Sequence, residues 1–478
     1  MRQLFCCLFF LSLQSVHAQS PTILSEKFYG GSGSEIGQFL FPTNDGNYIF
    51  IGTTSSFDGQ VTGYHGGIDI WVAKVSATGT IQWNICLGGT NDDVATGYTY
   101  NNTNGTITLV ATTNSTDGNI VGSRGMTDIL VIQLSASGTI NWQRTMGGTD
   151  IEKSYQIIET SDGSYLYLAT TRSNSGDATG NHGLSDLWLV KLNAGGTTLW
   201  SRLYGGTADD DILDSGGSLL EPVSNTYVFS GNTASNNGDV IGFRGGISDA
   251  WVVSTNNTGT ILWSTCLGGN GADFIRSLKT TPNGNYVALV QTASSDALGY
   301  HLTTDGFANH FDVLKCRLNS SGAIQTEKCY GSVYNEIPYD LMVLNDSVDI
   351  FAAKIERDGA DVSGSHDRDA FSKDIWLCET KRDSIVLWKK SLGGSLDEQP
   401  LVWVGRPVNG TIAQATERLS AGNDLVLMAI SRSRDGDVKR SLPSSSYNDF
   451  NLWIGVIDSA GAVKNQQNLG YGTPGSVY

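Results

Sequence analysis

Apolar and polar positions along this chain alternate in short bursts, and no stretch sustains the three-to-four-residue spacing of an amphipathic helix. The stretch TDIEKSYQIIETSDGSYLYLATTRSNSGDATGNHGLSDLWLVKLNAGGTTLWSRLYGG shows the pattern in full. Its apolar runs fall at 153–158, 165–170, 187–192 and 198–204. Ser-Asp-Gly separates the first two runs and Asn-Ala-Gly-Gly the last two, both tight-hairpin chemistry in which glycine supplies a positive φ. A much longer connection joins the second run to the third. The unit therefore predicts four antiparallel strands.

The unit recurs. Counted from the second glycine, Gly-Gly-[Ser/Thr]-x-x-[Asp/Glu] stands at Gly31, Gly89, Gly148, Gly206, Gly269 (with Asn270 at the third position) and Gly394, with a degenerate Gly331-Ser332 copy, at intervals of 58 to 63 residues. A unit of this size cannot bury its apolar face alone and must stack on its neighbours. Seven units of four strands predict an all-β fold, a seven-bladed β-propeller of four-stranded antiparallel blades. The blades are expected at about 32–89, 90–148, 149–206, 207–269, 270–332, 333–394 and 395–478. The strand leading into the Gly-Gly position occurs eight times, from Ile23–Gly31 to Ala462–Gly470, whereas the other three occur seven times. Residues 22–31 are thus a candidate closing strand, since one terminal copy can complete the ring by pairing with strands from the opposite end of the chain.

Composition supports this reading: 58 Gly and only nine Pro, with Val, Ile, Thr, Tyr and Trp filling the strands. The formal charge of −17, with no basic patch, argues against nucleic acid and anionic membrane surfaces as partners. The start, MRQLFCCLFFLSLQSVHAQS, has Arg2, an apolar core and small residues at Val16 and Ala18. It predicts a signal peptide over 1–18, a mature chain of 19–478, and a secreted protein, extracellular or periplasmic, without a transmembrane segment. Five cysteines remain, an odd number without facing hairpin positions, so buried thiols are expected in place of a disulfide framework.

Two resemblances attach to these residues. The unit DGNYIFIGTTSSFDG…GGIDIWVAKVSATGTIQWNICLGG resembles the bacterial secreted β-propeller repeat, most clearly over Lys27 to Gly269. The Gly-x-x-x-Trp hairpin, at Gly79 with Trp83, Gly138 with Trp142, Gly196 with Trp200 and Gly259 with Trp263, is similar to the tryptophan-docking hairpin of quinoprotein-like propellers. Later units depart from it, with Thr326, Trp388 without its glycine, and Asn465. Each tryptophan ring is expected between adjacent blades, its N–H on a backbone carbonyl.

A carboxylate follows every Gly-Gly: Glu35, Asp93, Glu152, Asp210, Asp273, Glu336 and Glu398. In a propeller these acids begin the innermost strands, so two readings are open. They ring one channel mouth and bind a hard cation such as Ca²⁺, the one cofactor the sequence leaves open, or they are structural. The structural reading has a partner: the long loop carries His65, Arg124, His182, Arg244, His301 and His366, with Arg440 a poorer fit, and each acid is expected to pair with the one in its own blade. These same His and Arg residues are the candidate ligand-binding residues of that face.

Regular recurrence marks structure, whereas an active site breaks the repeat. No Gly-x-Ser-x-Gly elbow, His-Glu-x-x-His or phosphate loop is present, and no catalytic residue is assigned. The favoured function is a non-catalytic binding or scaffold module for a protein or glycan. The alternatives are a quinoprotein-like or glycan-active enzyme with its site at the channel mouth, and a Ca²⁺-binding structural surface protein.

Overall fold

The computed structural model describes residues 29–212, 216–301, 310–366, 373–382, 385–394, 398–404, 425–431, 451–458 and 460–470. The expected signal peptide, most of the leading strand copy and Arg440 lie outside them. The architecture is all-β, with six four-stranded antiparallel sheets and one five-stranded sheet, consistent with a β-propeller. Each sheet is built from consecutive strands. The first uses Glu35–Pro42, Tyr48–Thr54, Asp69–Val75 and Ile81–Leu87 in that order. In the fourth sheet the leading strand is split, so that Asp210–Asp211 and Leu219–Val223 both pair with Thr226–Thr233.

The pattern of burial explains why the runs read as they do. The third strands, such as Asp69–Val75, Asp128–Leu134 and Asp186–Leu192, are buried along their whole length. Covered on both faces, they are apolar almost without interruption. The fourth strands, such as Ile140–Met146, are mostly open to solvent and carry the mixed residues. Among the described residues, six apolar clusters bridge successive sheets from the first to the seventh, and none bridges the seventh to the first. At the first junction Phe41 stacks on Tyr98 with ring centres 4.3 Å apart.

Tryptophan docking ties the outer edges together as expected, but across sheets. Trp83 Nε1 donates to Ala136 O at 3.1 Å, Trp142 Nε1 to Ala194 O at 3.1 Å and Trp200 Nε1 to Asn257 O at 2.8 Å, each acceptor lying in the turn of the following sheet. The glycine each ring covers also belongs to that following turn: a Cβ on Gly196 would meet the Trp142 ring at 2.5–2.9 Å. Trp388 therefore does have its glycine, Gly461 in the seventh sheet. The fifth sheet has Thr326 in place of tryptophan, and the facing turn of the sixth, Lys-Arg-Asp-Ser, has no glycine. The two halves of the motif are lost together.

The carboxyl-terminal strand copy belongs to the seventh sheet, and most of the leading copy lies outside the described residues. Val463–Gly470 pairs with Asn451–Ile457 as the fourth strand of its own sheet, not with strands from the other end of the chain. At the other terminus Tyr29 Oη donates to Gly79 O at 2.9 Å, as Tyr204 Oη donates to Gly259 O at 2.6 Å between the third and fourth sheets. Tyr29 thus meets the turn of the first sheet as Tyr204 meets the turn of the fourth. The five cysteines among the described residues are free and buried, and burial pushes the thiols of Cys86, Cys266 and Cys378 up to about 12.

Gly196 has φ of 78° as well as the Trp142 ring over it. Gly196→Ala is expected to lower the free energy of unfolding in urea by about 2–4 kcal/mol, combining a left-handed alanine with a displaced ring. Gly163→Ala is the control, because Gly163 has φ of 76° with nothing within 4 Å of an added Cβ. It should cost only about 1 kcal/mol, for the backbone alone.

Candidate functional site: the acidic junctions and the long-loop face

Two sets of acids meet where one sheet hands over to the next. The first set opens the third strands: Asp69, Asp128, Asp186, Asp249, Asp312 and Asp374, all essentially without exposure. Each is gripped by the end of its own long loop. Asp69 Oδ2 accepts the His65 N–H at 2.8 Å and faces His65 Nδ1 at 2.9 Å, and the geometry repeats for His182 with Asp186, His301 with Asp312 and His366 with Asp374. Where the loop carries arginine, its backbone N–H bonds the acid and its head does not: Arg124 N to Asp128 at 2.7 Å and Arg244 N to Asp249 at 2.5 Å. The arginine heads go elsewhere, Arg124 to Asp177 and the Gly147 carbonyl, Arg244 to the Gly268 carbonyl and Glu327.

The second set follows the Gly-Gly. Asp93, Glu152, Asp210, Asp273 and Glu336 are fully buried, and Glu35 is half-buried. Glu398 begins the first strand of the seventh sheet, with its side chain outside the described part. Each of the buried acids accepts the N–H of the residue four before it: Gly89 N to Asp93 at 2.9 Å, Gly148 N to Glu152 at 3.0 Å, Gly206 N to Asp210 at 2.6 Å, Gly269 N to Asp273 at 2.9 Å and Ser332 N to Glu336 at 2.8 Å. Gly31 N reaches Glu35 at 3.3 Å. Hydroxyls from the end of the second strand complete the shell, as in Thr171 Oγ1 to Glu152 at 2.7 Å, Ser115 Oγ to Asp93 at 2.8 Å and Ser294 Oγ to Asp273 at 2.6 Å.

These bonds correct the expected pairing of the post-Gly-Gly acids with the loop His or Arg. The imidazoles bond the other acid, the one opening the third strand. The reason is reach: His65 and Asp69 are four residues apart at one loop end, whereas Asp93 is already held by its own crossing and by Ser115. The supporting hydroxyls were legible in the sequence as a recurring Thr-x-Ser, at Thr54 and Ser56, Thr113 and Ser115, Thr171 and Ser173, Thr233 and Ser235, and Thr292 and Ser294.

The crossing glycines Gly88, Gly147, Gly205 and Gly331 each lie against both sets. An added Cβ at Gly205 would fall 2.5 Å from Asp210 Oδ2 and 2.6 Å from Asp186 Oδ1, so carboxylates from neighbouring sheets share the space that only a glycine leaves. Burial raises Asp69, Asp93, Glu152, Asp186 and Asp273 above the usual carboxylate range. Burial, with the neighbouring Asp186 adding, holds Asp210 at about 6. Burial and the Asp273 charge hold Asp249 at about 7. Among the described residues no three His, Cys, Asp or Glu side chains converge as a metal cluster would require.

The long loops present a second feature, absent from the sequence reading. An apolar residue just before the third strand stands open in four successive sheets: Ile68 at 37% exposure, Met126 at 65%, Leu184 at 59% and Ile247 at 70%. Val121, Ile241 and Leu298, at one shared position earlier in the loop, are each more than 70% exposed. The signal was an apolar residue embedded in glycine-rich loop sequence, at a spacing that repeats with the unit.

No protein-family model matches the chain, and no curated protein matches it. Its likeness to solved structures is distant. A polysaccharide lyase, an ulvan lyase, is 11% identical with a TM-score of 0.45, covering 92% of this chain and 96% of that one. A puromycin hydrolase is 10% identical with a TM-score of 0.44, covering 92% of this chain and 54% of that one. Hydrazine synthase of Kuenenia stuttgartiensis is 11% identical with a TM-score of 0.39 over 76% of each. At this distance they bring neither a family nor an activity to this chain.

A buried acid with a raised folded-state value binds a proton that the unfolded chain has already released. Its stabilising contribution is complete below the unfolded value near 4 and is lost as pH rises through the folded value. For Asp210 that window runs from about 4 to about 6. In metal-free buffer, Asp210→Asn should therefore flatten the decline of melting temperature between about pH 4 and about pH 6. An unchanged slope would show that Asp210 is ionised throughout.

Proposed function

We propose that this chain is a closed seven-bladed propeller, exported after removal of residues 1–18, that serves as a non-catalytic binding module through its long-loop face. The observation that carries the reading is the exposed apolar series Ile68, Met126, Leu184 and Ile247. Side chains that contribute little to the core recur one or two residues ahead of the third strand in four sheets, and an open apolar series rimmed by polar groups is the signature of a contact surface. Exposed Asp92, Asp117 and Asp150 lie in the neighbouring loops and crossings. The complementary occupant is a protein segment with apolar side chains and basic flanks. Repetition of the junction chemistry in sheet after sheet further favours a scaffold over a single reaction centre.

Closure of the ring is supported by the first sheet. Its leading strand exposes Ile36 at 61% and Leu40 at 69%, and Tyr48 next to it is 43% exposed. The same face of later sheets is covered by the preceding sheet, so the seventh sheet is the natural cover for this one. If it docks there, Leu40→Asp lowers the free energy of unfolding by about 2 kcal/mol or more, the value of a buried leucine. A solvated Leu40 would leave stability within about 0.5 kcal/mol of the parent.

Binding is tested with an array of synthetic peptides that combine basic and apolar residues, alongside soluble polysaccharides. The double variant Met126→Asp, Ile247→Asp should keep the parent melting temperature and lose peptide binding by more than about tenfold, as apolar hot-spot residues do. Peptide binding that survives the double variant, or turnover of a polysaccharide, would overturn the reading.

A further inference from the structure

The long loops of the first four sheets keep one length between the Ser of Thr-x-Ser and the loop His or Arg. Nine positions separate Ser56 from His65, Ser115 from Arg124, Ser173 from His182 and Ser235 from Arg244, but only seven separate Ser294 from His301 in the fifth. Asn237 and Asp296 mark matching places, each accepting an N–H of its crossing at 2.9 Å. Beyond that point the fourth loop continues Gly238-Asp239-Val240, and the fifth goes directly to Ala297. Two residues are missing.

In the other loops that pair seals the junction. Its second member donates a backbone N–H to the carbonyl of the first crossing glycine: Gln60 to Gly30 at 3.0 Å, Asn119 to Gly88 at 2.8 Å, Asp177 to Gly147 at 2.9 Å and Asp239 to Gly205 at 2.9 Å. Its side-chain oxygen accepts the N–H of the same glycine at 2.8–3.4 Å. The glycine beside it is pressed onto the crossing, since a Cβ on Gly238 would meet Gly205 O at 2.3 Å. Gly268, between the fourth and fifth sheets, has neither bond. Its carbonyl takes Arg244 Nη1 at 2.8 Å, and its N–H has no partner among the described residues. A cavity of about 470 Å³ opens there, lined by Arg244, Gly268, Asp296, Leu298, Leu314 and Glu327.

The lining shows what would complete it. Arg124, at the matching position two sheets earlier, bonds both the Asp177 carboxylate and Gly147 O. Arg244 keeps the carbonyl bond and reaches Glu327 at 2.9 Å, both through Nη1, so that its Nε and Nη2 have no partner among the described residues. A guanidinium edge beside an open backbone N–H is a carboxylate cradle. The acids of the lining are already engaged, Glu327 by Arg244 and Asp296 by the Asn270 N–H. Leu298 and Leu314 add apolar wall. Unlike the exposed apolar series, this feature breaks the repeat, as a site for one particular ligand does.

We propose that the cavity between the fourth and fifth sheets binds a small ligand with an amide N–H next to a carboxylate, as in an aspartyl peptide. Such a ligand supplies from outside what Gly-Asp supplies within the chain elsewhere: its N–H meets Gly268 O, and its carboxylate meets the Gly268 N–H and the Arg244 guanidinium. The mature full chain is titrated by calorimetry with acetyl-Gly-Asp-amide. One site per chain is expected, with acetyl-Gly-Asn-amide at least about tenfold weaker, as loss of a charge-assisted hydrogen bond requires. Arg244→Gln should weaken the aspartyl peptide by a similar factor, while Arg124→Gln, at a junction already sealed by Asp177, should leave it unchanged. Insertion of Gly-Asp between Asp296 and Ala297 should abolish binding, because the chain then occupies the cavity itself. If Arg244→Gln fails to fold, the insertion decides, and if neither folds, the contrast of the two peptides on the unaltered chain does. No binding of the aspartyl peptide, equal binding of the asparaginyl one, several sites per chain, or binding that survives the insertion overturns the proposal.

Discussion

A carboxylate shut away from water must be given donors, and in this protein the donors of each post-Gly-Gly acid come from different segments. Glu152 takes an N–H from the crossing that enters its own sheet and a hydroxyl from the end of the next strand. By collecting them it fixes where one sheet ends and how the following one begins. An unsatisfied buried acid is costly, so a crossing that strayed would lose both the bonds and the desolvation already incurred. The third-strand Asp does the same for the long loop, through the backbone N–H four or more residues earlier. The two acids then abut across a glycine, and the angle between neighbouring sheets follows from that contact.

At the opposite edge of each junction the ties are apolar and aromatic. A tryptophan of one sheet lies on the turn glycine of the next, and its N–H closes on that turn. Further inward, Lys191 reaches Asp162 in its own sheet at 2.6 Å and the Tyr227 hydroxyl of the following sheet at 2.7 Å. Lys315 does likewise with Asp349, both without exposure. The junction of the third and fourth sheets is thus fastened by three kinds of chemistry: the acids about Gly205, the Trp200 ring over the facing turn, and Lys191 on Tyr227.

Much of this was legible before any coordinates. The period, the four runs per unit and the two tight turns identified the sheets, because strand burial imposes a pattern that local sequence must obey. The recurring acids, histidines and arginines were also plain. Their pairing was not, because two acids per junction compete for the same donors, and only the geometry shows that His65 is local to Asp69 while Thr-x-Ser serves Asp93. The split of tryptophan and glycine between sheets escaped for a related reason: within one unit the two lie four residues apart and read as one hairpin. Exposure of Met126 and Ile247 was hidden because a recurring apolar residue in a loop reads equally well as one folded inward, and only the structure shows it open.

The last strand, Val463–Gly470, is joined to its sheet only through Asn451–Ile457, with Gly470 opposite Asn451 at the open end. A tensile load applied beyond Gly470 would meet the hydrogen bonds one after another from that end, an unzipping geometry, and not all together in shear. The array would then yield from its carboxyl end inward, sheet by sheet, each sheet still holding its own four strands until the load reached it. Under mechanical stress such a protein gives way in equal steps of one unit, so a tether at this terminus would act as an extensible one.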